Sequence, residues 1–316
     1  MSGHVLVTGG AGFIGSHVAD LYVEGGYEVT VLDNLSSGRR ENVPDGAAFV
    51  ESDVRSPDAR ALLRTGGFTL LNHHAAQMDV RVSVQDPGLD ADINLAGLLN
   101  LLEGAREGGV RRVVFASSGG VVYGESDDLP HPETARKLPV SPYGVSKLAS
   151  EYYLAQYAIL HGIEVRSLRY ANVYGPRQSP HGEAGVVAIF GKRVMQNAPL
   201  TVFGDGDQSR DYVFVHDVAR ANLCASTDPW RSPSALDDVA FNVGTGIETS
   251  VNALVRTLFE ATGRSVEVET QPARSGELLR SSVAIGKSGV ALGWQPEVRL
   301  REGLRRTYDW ILTTEA

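Results

Sequence analysis

Tyr143 and Lys147 are four residues apart in the segment SPYGVSK, residues 141–147. Ser141 is a residue type that caps helices and Pro142 suits the first helical position, so a helix is predicted to begin here. Residues four apart lie on one face of a helix, and the two side chains should therefore point the same way. A neighbouring ammonium group favours a phenolate and lowers its pKa, which makes Tyr143 a candidate acid and base in proton transfer.

A glycine-rich segment close to the start of the chain gives this pair its context. Residues 5–8 have the apolar character of a buried strand, Gly9, Gly12 and Gly15 follow, and a helical pattern comes next. Glycine at these spacings allows a tight turn, close approach of the backbone to a pyrophosphate, and close packing of helix on strand. Amide groups at the helix start would bind the phosphates. The sequence therefore predicts a dinucleotide-binding unit.

Asp33 ends the next predicted strand, residues 28–32. A carboxylate at this position accepts hydrogen bonds from the adenosine ribose hydroxyls and repels a 2′-phosphate, which predicts NAD rather than NADP. Arg39 and Arg40 follow closely, but residues 34–38 separate them from the strand end, and their simplest interpretation is a solvated loop.

Composition restricts the class of protein. The chain has 316 residues with 42% hydrophobic content, enough for a sizeable core, and its formal charge of −9 argues against a nucleic-acid or anionic-membrane partner. The one cysteine, Cys224, allows no internal disulfide and has no metal-ligand neighbours, so neither a disulfide framework nor a metal is expected. We find no leader pattern and no run of roughly 18 apolar residues, and expect a cytoplasmic protein without a membrane span.

Apolar runs alternate with amphipathic stretches along the chain. Residues 48–50, 69–71, 112–115 and 164–168 read as further strands, with helices between them. Such alternation predicts an α/β fold with a Rossmann-type doubly wound parallel sheet, whose active groups lie at the carboxyl ends of the strands.

Three segments follow these strands and should line the cofactor cleft: residues 53–54, 73–77 and 117–120. His73 and His74 could suggest a metal site. Adjacent residues on a strand point to opposite faces, however, and no carboxylate partner is evident, so we expect no metal there.

A second region begins after Tyr170, where the chain becomes rich in proline and glycine and the elements become shorter. We predict a dinucleotide-binding domain at 1–171, with return segments near 212–222 and 239–246. The remainder, 172–316, should form mainly a smaller, interleaved α/β domain that binds the substrate.

Ten motifs in order carry a resemblance that covers nearly the whole chain. They are GGAGFIGSHV, the strand end at Asp33, HHAAQ, SSGGVVYGE, SPYGVSK, RYANVYGPRQ, GEAGVVAIF, SRDYVFVHDVA, FNVGTG and ARSGEL. Together they resemble extended short-chain dehydrogenase/reductases, and most closely the UDP-glucose 4-epimerases.

The resemblance implies a reaction and its cofactor. In these epimerases NAD takes a hydride from C4 of a UDP-hexose while the tyrosine removes the proton of the C4 hydroxyl, and the resulting 4-keto sugar turns and is reduced from its other face. Tyr143 would then be the base, and Lys147 would hold the nicotinamide ribose and lower the Tyr143 pKa. A serine would hydrogen-bond the reacting oxygen. We prefer Ser118 and leave Ser117 open, because Gly119 occupies the position where many relatives carry the catalytic Ser or Thr.

Binding residues follow from the fingerprint and the resemblance. Those assigned to the cofactor are Gly9, Gly12, Phe13, Ile14, Gly15, Asp33, Asn34, Asp53, Val54, His74, Ala75, Ala76, Gln77, Asn94, Tyr143, Lys147 and Tyr170. Those assigned to UDP are Asn172 and Arg210 for the diphosphate, Val187 and Phe203 for the uracil, Arg274 for a phosphate and Glu277 for the uridine ribose. The planar guanidinium group suits a diphosphate because it donates two parallel hydrogen bonds.

Two positions bear on the choice of sugar. Ser281 lies about where some relatives place a bulky tyrosine, so UDP-N-acetylglucosamine and UDP-N-acetylgalactosamine are candidate substrates beside UDP-glucose and UDP-galactose. Ser179 lies where relatives that act on glucuronate tend to carry an arginine, which disfavours a uronic acid.

Three alternatives stay open. A UDP-glucuronate 4-epimerase or decarboxylase would need another cation, and Arg280 is a candidate. A nucleotide-sugar 4,6-dehydratase would need acid groups where Gly119 and Gly120 stand. A non-catalytic NAD-binding scaffold would share the fold but typically loses the tyrosine and lysine pair.

The resemblance also implies an assembly. The amphipathic stretches 93–105 and 143–160 correspond to helices that form an intermolecular four-helix bundle in relatives. We therefore expect a homodimer.

Overall fold

The structure is a computed structural model that describes residues 3–180, 185–273 and 278–314. Its strands are β1 (His4–Thr8), β2 (Glu28–Asp33), β3 (Ala47–Glu51), β4 (Leu70–His73), β5 (Arg112–Ser118), β6 (Glu164–Tyr170), β7 (Asn172–Tyr174), β8 (Leu200–Phe203), β9 (Ser209–Phe214), β10 (Ala240–Val243), β11 (Glu248–Ser250), β12 (Val268–Gln271) and β13 (Arg280–Ser281). Its helices are α1 (Phe13–Glu24), α2 (Pro57–Thr65), α3 (Val80–Gln85), α4 (Pro87–Ala91), α5 (Gly97–Gly108), α6 (Pro142–His161), α7 (Val186–Met195), α8 (Val215–Thr227), α9 (Val251–Thr262), α10 (Gly286–Ala291) and α11 (Leu300–Thr314).

The main sheet is parallel and has the strand order β3-β2-β1-β4-β5-β6-β10. The order reverses between β1 and β4, and in doubly wound sheets this switch point opens a crevice at the carboxyl ends of the strands. Helices cover both faces: one core joins α1 and α8 to the sheet, and the other joins α2, α5 and α6. The predicted Rossmann-type α/β fold is confirmed.

Two later segments return to this sheet. The strand β10 pairs in parallel with β6, and α8 packs against α1. A second sheet contains β11, β9, β13 and β7, and β12 pairs with β8. A separate core, formed by α7, α9 and α11 with these strands, supports this second region.

The helix α6 begins where the sequence predicts. The hydroxyl of Ser141 accepts a hydrogen bond from the amide of Gly144 at 3.2 Å, and Pro142 takes the first position. The helix ends at Gly162, whose φ of 68° is left-handed. Tyr143 and Lys147 both lie in the first two turns of this 20-residue helix, next to the end of β5.

Within the ranges that the structure describes, no helix combines the length and the apolar character needed to cross a bilayer.

Candidate active site

A cavity of about 860 Å³ lies at the carboxyl ends of the main sheet. Among the predicted cofactor residues, Asn94 alone does not border it. Those that do are Gly9, Gly12, Phe13, Ile14, Gly15, Asp33, Asn34, Asp53, Val54, His74, Ala75, Ala76, Gln77, Tyr143, Lys147 and Tyr170. The fold thus brings together residues from six separate parts of the chain, at 9–15, 33–34, 53–54, 74–77, 143–147 and 170.

The glycine turn leaves no room for side chains at two positions. A Cβ atom on Gly9, whose φ is +68°, would lie 2.6 Å from the amide nitrogen of Ala75, and one on Gly15 would lie 2.2 Å from the carbonyl oxygen of Gly9. The helix α1 starts after Gly12 without a side-chain cap. No side chain therefore caps the first amide groups of α1, which lie at the cavity wall. This arrangement of amide groups binds phosphate.

Asp33 is fixed in place at the end of β2. Its carboxylate accepts hydrogen bonds from the amides of Ala11 at 3.0 Å and Leu35 at 2.9 Å, and the residue is only 7% exposed. Arg39 borders the same cavity and forms a 3.4 Å ion pair with Glu41, so the loop is closer to the site than its simplest sequence interpretation suggests.

Asp53 is held by Arg55, a residue that sequence reasoning missed. Hydrogen bonds from the Arg55 guanidinium keep the pKa of the Asp53 carboxyl well below its usual value, and the Asn34 amide adds a bond of 3.1 Å. Arg55 also donates to Asp92 at 2.6 Å. These hydrogen bonds fix the part of the cavity rim that lies between β3 and α5.

Tyr143 and Lys147 both face the cavity, as their spacing predicts. The Lys147 Nζ atom donates to the Ala116 carbonyl at 2.8 Å and lies 5.7 Å from the centre of the Tyr143 ring. Burial lowers the pKa of Lys147 to about 8, although the carboxylates of Asp90 and Glu151 act in the opposite direction. Lys147 therefore loses its proton more readily than an exposed lysine does.

The two candidate serines have different surroundings. Ser117 borders the cavity, but its hydroxyl donates to Glu151 at 2.5 Å and the residue is buried. Ser118 is half-buried, and its hydroxyl oxygen would lie 3.8 Å from a Cβ atom on Gly120, whose other near neighbour is the side chain of Asn172. Ser118 does not border the large cavity, so its preference over Ser117 stays a prediction.

A side chain at Gly119 would be tightly packed in this structure. A Cβ atom there would lie 2.9 Å from the Val283 side chain and 3.1 Å from the Arg169 carbonyl oxygen. Its amide also donates to the Tyr170 carbonyl at 2.8 Å. Close packing against β6 explains why glycine occupies this position.

Of the paired histidines, His74 borders the cavity and His73 does not. Burial lowers the pKa of both His73 and His74 to about 3. The Nδ1 atom of His73 lies 2.6 Å from the Thr8 hydroxyl, and the His74 ring stacks on Tyr170 with centroids 6.1 Å apart. The Tyr170 hydroxyl is held by Asn222, another residue that sequence reasoning missed.

Asn94 departs from the prediction. Its amide group donates to the Gln77 carbonyl at 2.9 Å and to Asp90 at 3.0 Å, and its oxygen accepts from the Gln77 amide at 2.9 Å. These bonds leave the side chain buried behind the cavity wall. Asn94 therefore positions a cofactor-lining residue instead of bordering the cavity itself.

The residues predicted to bind UDP are less closely grouped. Asn172 and Val187 border a second, small cavity of about 30 Å³. Phe203 and Arg210 border neither of the two cavities described here, and one guanidinium nitrogen of Arg210 donates to the neighbouring Ser209 carbonyl at 2.8 Å. Arg274 and Glu277 lie outside the described residues.

The residues discussed for sugar choice also have definite places. Ser179 borders the large cavity, and Ser281 is buried opposite Arg210 in the pairing of β13 with β9. Arg280 forms a 2.6 Å ion pair with Glu248.

Two distant segments complete the cavity wall. Arg177 donates to Asp20 on α1 at 2.6 Å, and Trp310 reaches the wall from α11. Neither contact has a local signal in the sequence.

Comparisons with known proteins agree with this geometry. The sequence model of the NAD dependent epimerase/dehydratase family matches residues 5–244. The UDP-glucose 4-epimerase of Mycolicibacterium smegmatis is 44% identical to this chain and covers 97% of each chain. A crystal structure of the Thermotoga maritima UDP-glucose 4-epimerase with UDP-glucose is 44% identical, with a TM-score of 0.94 and coverage of 99% of this chain and 100% of that one. The Thermus thermophilus UDP-glucose 4-epimerase in complex with NAD is 45% identical, with a TM-score of 0.91 and coverage of 98% and 99%. The resemblance predicted from the motifs is confirmed, and the chain belongs to the NAD-dependent epimerase/dehydratase family.

Proposed function

We propose that the protein is a UDP-hexose 4-epimerase that interconverts UDP-glucose and UDP-galactose with NAD as its cofactor. The observation that carries this proposal is the position of Tyr143 and buried Lys147 on the wall of a cavity that also contains the glycine turn. Relatives named UDP-glucose 4-epimerase match nearly the full chain. A proton-transfer pair beside a dinucleotide site is what oxidation and reduction at a sugar hydroxyl require.

The residues present fit NAD. The turn at Gly9 to Gly15 and the uncapped start of α1 suit its pyrophosphate, and Asp33 suits the adenosine ribose. When bound, NAD would accept the hydride from C4 of the sugar and return it to the opposite face of the 4-keto sugar. We assign residues 1–171, with the returning segments near 212–222 and 239–246, to the cofactor and residues 172–316 mainly to the UDP-sugar.

The chain itself moves the proton. Tyr143 would accept the proton of the C4 hydroxyl during oxidation and return it to the same oxygen during reduction, so no net proton is consumed. The Lys147 ammonium would stabilise the phenolate and hold the nicotinamide ribose. The Ser118 hydroxyl would donate a hydrogen bond to the C4 oxygen, where negative charge develops.

The first experiment is conversion of nucleotide sugars. The purified protein is incubated with UDP-glucose, UDP-N-acetylglucosamine or UDP-glucuronate, without added NAD and then with it, and the C4 epimers are separated by chromatography. We expect UDP-glucose to be converted to UDP-galactose. Absence of conversion of every sugar, even with NAD supplied, would contradict the proposal.

The same experiment tests the sugar pocket. Conversion of the acetamido sugar is expected because Ser281 lies about where some relatives carry a bulky tyrosine. Conversion of UDP-glucuronate is not expected, because Ser179 offers no cation and Arg280 is already paired with Glu248. A preference for UDP-glucuronate over UDP-glucose would replace our assignment by the uronic acid alternative.

The charge of Lys147 should set the alkaline limit of activity. The lysine is protonated below its pKa and neutral above it, and burial places that pKa at about 8. We therefore expect kcat to fall as the pH rises through about 8. A steady-state profile of kcat against pH with UDP-glucose measures this fall. A kcat that stays constant well above that pH would contradict the role of the Lys147 charge.

The two serines can be separated by substitution. A Ser118→Ala variant should lose about 10²-fold in kcat, since a hydrogen bond to the developing negative charge is lost. The matched Ser117→Ala variant removes a donor to buried Glu151 and should lower thermal stability more than kcat. If the larger loss of kcat is found in Ser117→Ala instead, the assignment of the two residues must be exchanged.

We also propose a homodimer formed through α5 and α6. Several large apolar side chains on the outer face of α6 are solvent-exposed, among them Tyr152, Ile159 and Leu160, at 60%, 62% and 66%. Apolar surface of this extent on one helix is typical of a protein interface. Light scattering that gives a monomer mass at micromolar concentration would contradict this assembly.

A further inference from the structure

Asp90 is a fully buried carboxylate on α4 that the proposed reaction does not use. One of its oxygens accepts hydrogen bonds from the side-chain amides of Gln77 and Asn94, both at 3.0 Å. The other accepts from the Ser146 hydroxyl at 2.6 Å. Burial of an ionised carboxylate is costly unless hydrogen bonds or a countercharge compensate it, so this arrangement needs a reason.

The partners of Asp90 belong to opposite sides of the candidate site. Gln77 borders the cavity on the loop after β4, and Asn94 fixes the backbone of that residue from behind. Ser146 lies on α6, between Tyr143 and Lys147 in sequence. One carboxylate therefore connects the helix that carries the proton-transfer pair to the loop that lines the cofactor cavity.

The charges around Lys147 give Asp90 a second role. On α6, Glu151 also faces the lysine, but it is paired with Arg169 at 2.6 Å and both side chains are fully buried. At the end of β4 and directly after it, His73 and His74 are neutral because burial lowers their pKa. On β5 the contacts are the Ala116 carbonyl and the Phe115 ring.

Asp90 itself has no such cationic partner. Among the residues that the structure describes, no arginine, histidine or lysine forms an ion pair with it. It is therefore the carboxylate near Lys147 whose charge is not already neutralised by an arginine.

We propose that Asp90 is a positioning residue that holds α6 against the Gln77 loop and supplies the buried negative charge that keeps Lys147 protonated. This proposal rests on the roles proposed above for Tyr143 and Lys147. The hydrogen bonds of Asp90 to Gln77, Asn94 and Ser146 carry the positioning part of the proposal. The electrostatic part is supported by the direction in which Asp90 acts on the pKa of Lys147, which is upward, against the effect of burial.

The test compares variants of the two residues that the Asp90–Ser146 hydrogen bond joins. Asp90→Asn removes the charge but keeps a side chain that can accept from Gln77 and meet the Ser146 hydroxyl. Ser146→Ala removes the hydroxyl and keeps the charge. For each variant and the wild type, NAD binding to the cofactor-free protein is measured by calorimetry across a pH series, together with kcat for UDP-glucose.

In Asp90→Asn, the pH above which NAD affinity and kcat decline should be lower by roughly one unit, since an opposite charge nearby changes a pKa by that order. Ser146→Ala should leave that pH unchanged and weaken NAD binding at every pH, since α6 loses its hydrogen bond to Asp90 and with it the connection to the Gln77 loop.

Two results would overturn the proposal. If a folded Asp90→Asn variant loses NAD affinity and kcat at the same pH as the wild type, Asp90 has no electrostatic role. Unchanged NAD affinity in Ser146→Ala would remove the positioning role, and this second measurement remains decisive if Asp90→Asn does not fold. Because NAD binding is measured without turnover, a wild-type protein that fails to convert UDP-sugars would reject the proposed function and still allow Asp90 to be tested.

Discussion

A Tyr143→Phe variant is expected to lose about 10² to 10⁴-fold in kcat while it keeps NAD and UDP-sugar binding. The ring borders the cavity and packs near the Lys147 ammonium, and phenylalanine preserves both contacts. Only the oxygen that would accept the C4 hydroxyl proton is removed. The measurement is steady-state kinetics with UDP-glucose, combined with the NAD content of the purified variant and calorimetric affinity for UDP-sugar.

Tyr152→Phe is the matched control, because Tyr152 lies on the same helix, on the surface proposed for the dimer, and does not border the cavity. It should leave kcat unchanged. Loss of bound NAD in Tyr143→Phe, or a rate close to that of the control, would contradict the role of Tyr143 as the base. A parallel loss in both variants would indicate damage to α6 instead of loss of a proton acceptor.

An Arg169→Met variant is expected to lose about 3 to 5 kcal/mol in the free energy of unfolding, because the change leaves a buried carboxylate without its partner. Arg169 is fully buried, donates to Glu151 at 2.6 Å, and also donates to the Tyr123 hydroxyl at 3.0 Å and the Glu133 carbonyl at 2.9 Å. Methionine fills much of the same volume but satisfies none of these acceptors. Denaturant unfolding at one fixed NAD concentration measures the loss.

Arg306→Met provides the comparison, since Arg306 forms a helical ion pair with Glu302 in which both side chains are half exposed. Solvent screens such a pair, so little change in unfolding free energy is expected. Equal losses in the two variants would mean that the buried pair is not the source of the stability.

Features whose geometry is set inside one element or one turn could be predicted from the sequence alone. Tyr143 and Lys147 share a helical face because they are four residues apart in a helix that Ser141 and Pro142 begin. The glycine turn follows from the steric limits at Gly9 and Gly15, where side chains would overlap the backbone. Regular alternation of strands and helices was sufficient for the parallel sheet and the location of the cavity at its carboxyl edge.

Which of these side chains are available to a ligand depends on packing between distant parts of the chain. The hydroxyl of Ser117 is committed to Glu151, which lies 34 residues further along the chain, and the amide of Asn94 is committed to Gln77 and Asp90. Trp310 reaches the cavity wall from the last helix described. The physical reason is that buried polar groups take whichever partners the packed elements bring within hydrogen-bonding distance, and no local pattern specifies partners so far apart in sequence.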